Sequence, residues 1–192
     1  MRISITGTHC CGKTTVIQKV KDKLENAGID LSGVEFHTFS GKFAPVDYSS
    51  AGNLKENLFQ EMRLTYWMIS KLIERETMVS DNSIIHIFDR CILDQIVYPS
   101  VILGDKLSKS VVDYVLEYLN LNPYDKVFIL PMNNELLQKY GTKDKSFDYA
   151  KSIHDKYVNL CTDYNFCQVL SQNQDEQVEY IFQYILDKIS NK

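Results

Sequence analysis

Gly7-Thr8-His9-Cys10-Cys11-Gly12-Lys13-Thr14 satisfies every position of the pattern G-x-x-x-x-G-K-[ST]. The pattern needs a strand feeding a tight turn and then a helix, and the chain supplies all three. Arg2-Ile3-Ser4-Ile5-Thr6 is a short β-like run, and after the loop Val16, Ile17, Val20 and Leu24 recur at helical spacing. The two glycines let the backbone turn sharply and approach a ligand. The successive amide N–H groups from Gly7 through Thr8, His9, Cys10, Cys11 and Gly12 to Thr15 line a concavity suited to phosphate oxygens, and the helix N-terminus adds the positive end of its dipole. In this arrangement Lys13 reaches the outer phosphates and the Thr14 hydroxyl is set to ligate Mg²⁺. The loop implies a nucleoside triphosphate as ligand, with ATP and Mg²⁺ the expected pair.

The rest of the chain alternates strand-like and helix-like segments, the signature of an α/β fold with a parallel sheet. The spacing predicts strands at Val34–Phe39, Ile84–Phe88, Lys126–Leu130 and Phe166–Leu170, which with the first make a five-stranded parallel sheet flanked by helices in three layers. Residues from Gly41 to Gly52 read as a loop. Asn53-Leu54-Lys55-Glu56 reads as the capped start of a long helix running through Val79. Ile92–Leu103 and Ser108–Leu121 read as helical, broken by Pro99 and Gly104-Asp105, and further helices are expected at about Asp148–Tyr164 and Glu176–Ile189. Asn133–Phe147 is a polar, charged connection. His86, inside an apolar strand, reads as a packed histidine rather than a ligand. The 192 residues suit one domain, 1–192, with a small lid at about 132–147.

Composition narrows the partners. A formal charge of −4 argues against a broad polynucleotide-binding face. No apolar run is long enough for a membrane span, and the few apolar residues after Arg2 do not make a signal peptide, so a cytoplasmic location is expected. Five cysteines without a C-x-x-C spacing argue against a disulfide framework or a zinc site. Cys10 and Cys11 fill variable positions of the loop, where the backbone carries the function, although a thiol beside a helix N-terminus can be activated.

A second chemical signal lies at Asp89-Arg90. An apolar strand ending in Asp puts a carboxylate at the carboxyl edge of a parallel sheet, where such sheets form their ligand crevice. Beside Lys13 and Thr14, Asp89 either helps hold Mg²⁺ or accepts the proton of an attacking hydroxyl. Arg90 offers a planar fork for phosphate and an offset to charge developing in transfer. Lys13, Asp89 and Arg90 are thus the candidate catalytic residues, and Thr14 and Asp89 the candidate metal ligands.

The loop Ile5-Thr6-Gly7-Thr8-His9 with Gly12-Lys13-Thr14-Thr15, together with Asp89-Arg90, Asp94 and Tyr98, resembles small nucleotide and nucleoside kinases such as thymidylate and deoxynucleoside kinases. The resemblance implies a P-loop kinase fold and ATP-dependent phosphoryl transfer to a small nucleotide or nucleoside, with a homodimer among the expected states. It also implies a lid after the fourth strand. The matching stretch, Lys139–Ser146, has no Arg, so Lys143 and Lys145 stand as its cations. In similar kinases the long helix borders the acceptor pocket, where Gln60, Glu61 and Arg63 fall here, with Gln60 and Arg63 suited to a base edge and an acceptor phosphate. Phe43, Tyr48 and Tyr66 are of the type that stacks on a base. Three other functions stay open: a kinase acting on a polynucleotide end or a modified DNA base, a non-catalytic nucleotide sensor, and an ATPase switch. A GTPase is disfavoured because no N-K-x-D follows a late strand.

Overall fold

Five short, strongly apolar segments build one parallel sheet in a computed structural model that describes residues 1–39, 44, 58–79, 83–141 and 146–190. The strands are β1 (Arg2–Gly7), β2 (Val34–His37), β3 (Ile85–Asp89), β4 (Lys126–Leu130) and β5 (Cys167–Val169), in the spatial order β2-β3-β1-β4-β5. Helices α1 (Lys13–Asn26), α2 (Leu58–Thr77), α3 (Asp94–Leu103), α4 (Lys109–Leu121), α5 (Asn134–Tyr140), α6 (Phe147–Asp163) and α7 (Gln174–Ser190) complete the described elements.

Side chains alternate across a strand, so a sheet buried on both faces needs apolar residues in continuous runs. Ile3, Ile5, Ile85, Ile87, Phe128 and Leu130 point to one face, where they pack with Val16, Val20 and Leu24 of α1 and Val178, Ile181 and Ile185 of α7. Phe88, Val127 and Ile129 point to the other, against Leu72 of α2, Val97 of α3, Val115 of α4 and Ile153 and Tyr157 of α6. The expected three-layer fold is the observed one.

Element boundaries depart from the sequence reading in two informative places. Pro99 lies inside α3 rather than breaking it. Proline removes one backbone bond, but the buried side chains of Val97, Pro99 and Leu103 hold the helix against the core. The polar connection after β4 contains α5, which starts where the Asn133 side chain accepts a hydrogen bond from the Leu136 N–H. The loop expected at 41–52 (residue 44 apart), the helix start at Asn53, and the lid residues Lys143 and Lys145 lie outside the described residues, as do Phe43 and Tyr48. Among the described residues no helix is long and apolar enough to cross a membrane.

Candidate active site

The carboxyl ends of the two central strands meet in register: Ile5 of β1 pairs with Asp89 of β3, and the Arg90 N–H donates to the Ile5 carbonyl at 3.0 Å. Sheet pairing therefore sets the Asp89-Arg90 step beside the start of the loop that follows β1. Arg90 itself takes the left-handed conformation, with φ 70°, as the chain turns away from the sheet.

Both loop glycines answer to geometry. Gly7 has φ 145°, and a Cβ there would stand 2.7 Å from the Leu130 carbonyl oxygen of β4. Gly12 has φ 93° and serves as the N-cap of α1, where no side chain caps the helix. The first amides of α1 are therefore left for another acceptor, the arrangement that suits an anion. Cys10 shares the left-handed backbone, with φ 55°.

Lys13 is buried, and its ammonium donates to the carbonyls of Gly7 (3.1 Å) and Thr8 (2.6 Å) and to the Cys11 sulfur (3.4 Å). The loop thus holds its lysine coiled over itself. Thr14 and Thr15 are exposed on the first turn of α1, whereas Thr8 is buried with its hydroxyl unpartnered among the described residues. His9 sets its ring edge-on to Tyr98 and stacks near Tyr149 of α6.

Asp89 is the electrostatic focus. Its Oδ1 is buried without a hydrogen-bond partner among the described residues. Burial raises its pKa above the ordinary carboxylate range, against the opposing pull of Arg90 and Lys13. A buried oxygen left in that state calls for a cation or a hydroxyl donor. Asp89 and the exposed Thr14 hydroxyl thus fit the donor set a Mg²⁺ ion takes.

Arg90 faces a different partner. Its Nη1 donates to Asp94 Oδ2 at 3.2 Å, and its guanidinium lies over the Tyr98 ring, 5.6 Å from the centroid. The Tyr98 hydroxyl in turn donates to the Gly7 carbonyl at 3.1 Å. Asp94, 1% exposed, also accepts on Oδ1 from Thr6 (2.7 Å), Tyr157 (2.8 Å) and the Cys91 thiol (3.4 Å). One buried carboxylate thereby joins β1, the Asp89-Arg90 turn, α3 and α6.

The structure brings Lys13, Asp89, Arg90 and the loop from Gly7 to Thr15 together. Gln60 is half-buried and Arg63 exposed on the first turns of α2; among the described residues no hydrogen bond or ion pair joins Arg63 to that set. Glu61 between them is buried, and burial pushes its carboxyl up to about 7. Sequence reasoning missed Arg75. From the last turn of α2 its guanidinium donates to the backbone carbonyls of Asp89 (2.6 Å) and Arg90 (3.0 Å), and it lies on the Phe88 ring. Nothing local in the sequence announces this, because the contact spans 14 or 15 residues and ends on backbone.

Comparisons with known proteins bear on the family and the fold. The sequence pattern of a family described as the AAA domain matches residues 2–177. No curated protein matches the chain in sequence. Among solved structures, a deoxyadenosine kinase from M. mycoides, with products dCMP and a flexible dCDP bound, aligns with TM-score 0.69 at 18% identity over 97% of this chain and 99% of its own. Thymidylate kinase from Candida albicans aligns with TM-score 0.63 at 12% identity, covering 100% of this chain and 93% of its own. Thymidylate kinase from Ehrlichia chaffeensis aligns with TM-score 0.62 at 16% identity, covering 97% and 98%. The fold is that of the P-loop nucleoside and nucleotide kinases.

Proposed function

This chain belongs to the AAA domain family, and from that membership and the geometry of its site we propose that it transfers the terminal phosphoryl group of ATP to a small nucleoside or nucleotide. The carrying observation is the buried Asp89 Oδ1, unpartnered among the described residues, held by strand register against the phosphate loop and flanked by Lys13 and Arg90. Family membership by itself is satisfied by nucleotide binding; a carboxylate poised in that position suits a second, hydroxyl-bearing substrate.

The loop amides and the N-terminus of α1 bind the donor phosphates. Lys13 leaves its loop carbonyls to meet the outer phosphate oxygens. Thr14 and Asp89 would hold Mg²⁺, which when bound offsets charge on the triphosphate. The acceptor oxygen attacks the terminal phosphorus, and the bond from that phosphorus to the bridging oxygen breaks, leaving ADP. In the alternative role of Asp89, with the ion held by Thr14 and not by Asp89, the carboxylate takes the proton of a hydroxyl acceptor, and its raised pKa makes it a better base than an exposed carboxylate. Arg90, fixed by Asp94 and Tyr98, faces the charge that spreads over the transferring group. The fold likeness to structures named as deoxyadenosine and thymidylate kinases supports this class of acceptor.

The test is phosphate transfer from Mg-ATP across a panel of nucleosides, nucleoside monophosphates and DNA oligonucleotides. Turnover with one or a few small acceptors is the expected result. ATP binding without transfer to any acceptor would leave a nucleotide sensor, and transfer to oligonucleotides alone would move the substrate class to polynucleotides.

A further inference from the structure

On the edge of the sheet away from β4 and β5, two adjacent strands direct three donor side chains to one point. Glu35 and His37 are alternate residues of the edge strand β2, so they share a face, and the parallel register sets Glu35 directly beside His86 of β3. His37 Nε2 and His86 Nδ1 are 3.1 Å apart, His37 Nε2 and Glu35 Oε2 3.5 Å, and His86 Nδ1 and Glu35 Oε2 3.4 Å. Three donor atoms with bonds of about 2.0–2.1 Å to a tetrahedral ion stand about 3.3–3.4 Å from one another. The observed triangle has that size.

With both imidazoles neutral, one N–H joins His37 Nε2 and His86 Nδ1 at 3.1 Å, with Glu35 Oε2 beside them as a second acceptor. A cation at the centre meets all three donors at once. We propose that Glu35, His37 and His86 form a binding site for a transition-metal dication of the Zn²⁺ class, with the fourth position open to water on the Glu35 side.

Two imidazoles and one carboxylate are donors of the zinc type, whereas Mg²⁺ and Ca²⁺ favour all-oxygen sites, so the site is distinct in chemistry from the Asp89 centre. Its walls are built. His86 is 2% exposed, and the His37 ring stacks on Phe88, the residue before Asp89, at 4.8 Å between centroids. Glu35, with a side chain 53% exposed, opens the site to solvent. The ion would clamp β2, which among the described residues has a sheet neighbour on one side only, onto β3. The absence of paired cysteines in the sequence does not bear on a site made of histidine and carboxylate. The burial of His86 expected from its strand is observed, while its assignment as a ligand departs from the expectation that it only packs, because the register that sets it beside Glu35 is not legible in its own strand.

The experiment is titration of the purified full chain with Zn²⁺ and, for its visible spectrum, Co²⁺. One ion per chain, a rise in Tm with Zn²⁺, tetrahedral Co²⁺ bands without thiolate charge transfer in the near ultraviolet, and no displacement by millimolar Mg²⁺ are expected. Glu35→Gln and His37→Asn, both on the edge strand and partly exposed, should each weaken Zn²⁺ affinity by at least about a hundredfold, beyond the loss that a merely supporting residue produces. Their metal-free Tm values, close to that of the parent chain, verify that both variants are folded. Unchanged affinity in either folded variant, a thiolate band, or no bound Zn²⁺ in the parent chain overturns the proposal.

Discussion

The Thr6 hydroxyl donates to Asp94 Oδ1 at 2.7 Å, so the last side chain before the phosphate loop is tied to the first residue of α3. Thr6 lies on the polar side of an otherwise apolar strand because Asp94 must be satisfied there. Tyr157 and Cys91 share the same oxygen and Arg90 takes the other. The buried carboxylate is thus compensated on both oxygens, and its energetic weight follows from what any substitution leaves behind.

Asp94→Asn should destabilise the protein by about 3 kcal/mol, because it strands the Arg90 charge and turns an amide donor toward hydrogen-bond donors. Thr6→Val removes one neutral donor and should cost about 1 kcal/mol. Urea unfolding of both variants checks the ranking; equal effects would mean that the ion pair with Arg90 carries little.

Arg75 acts on Asp89 and Arg90 through their backbone, which makes it a positioning residue. Arg75→Lys keeps the charge but cannot serve two carbonyls with a planar fork. Turnover should fall about tenfold or more while the Michaelis constant for ATP changes little, since the phosphate loop is untouched. A drop in stability with normal turnover of the folded fraction would reduce Arg75 to a packing role on Phe88.

Lys13→Ala should lower transfer by roughly 10³-fold or more and weaken triphosphate binding, with the fold retained. In the structure its ammonium is spent on loop carbonyls of Gly7 and Thr8, contacts the backbone can yield to water. Circular dichroism together with steady-state kinetics distinguishes loss of chemistry from loss of structure, and near-normal turnover would remove Lys13 from the mechanism.

The Asp-Arg pair separates by chemistry. Asp89→Asn keeps size and removes the charge, so turnover should fall about 10²–10⁴-fold with ATP binding little changed. Arg90→Lys loses the fork: the loss appears in the acceptor's Michaelis constant if Arg90 meets an acceptor phosphate, and in turnover if it faces the transferring group. Wild-type kinetics in both variants would make the pair structural.

Much of this was legible in the chain. The loop is compressed into eight contiguous residues with fixed jobs, and Asp89 ends an apolar run, so strand, turn and carboxylate can each be read locally. The core faces follow from the same runs. What could not be read is what depends on pairs distant in sequence. Arg75 looks like any basic residue near a helix end, Tyr157 lies 63 residues from Asp94, and the Glu35-His37-His86 triangle exists only once β2 and β3 are in register. Helix α5 escaped because one Asn cap and a single turn of apolar residues give little periodicity.

Glu61 provides the clearest dependence on pH. Its Oε2 is buried without a partner among the described residues, and burial lifts its carboxyl from the ordinary 4.5 to about 7. Between those values the folded protein binds a proton that the unfolded chain has released, so stability falls as pH rises from about 4.5 through 7. The full penalty, of order 3 kcal/mol from the size of the shift, is reached above pH 7. Glu61→Gln cannot ionise and should flatten this slope. The gain in Tm of the variant over the parent chain should be small or negative at pH 5 and grow steadily to pH 8. A difference that does not change with pH would mean that Glu61 is ionised throughout and that its carboxylate has found a partner in the folded chain.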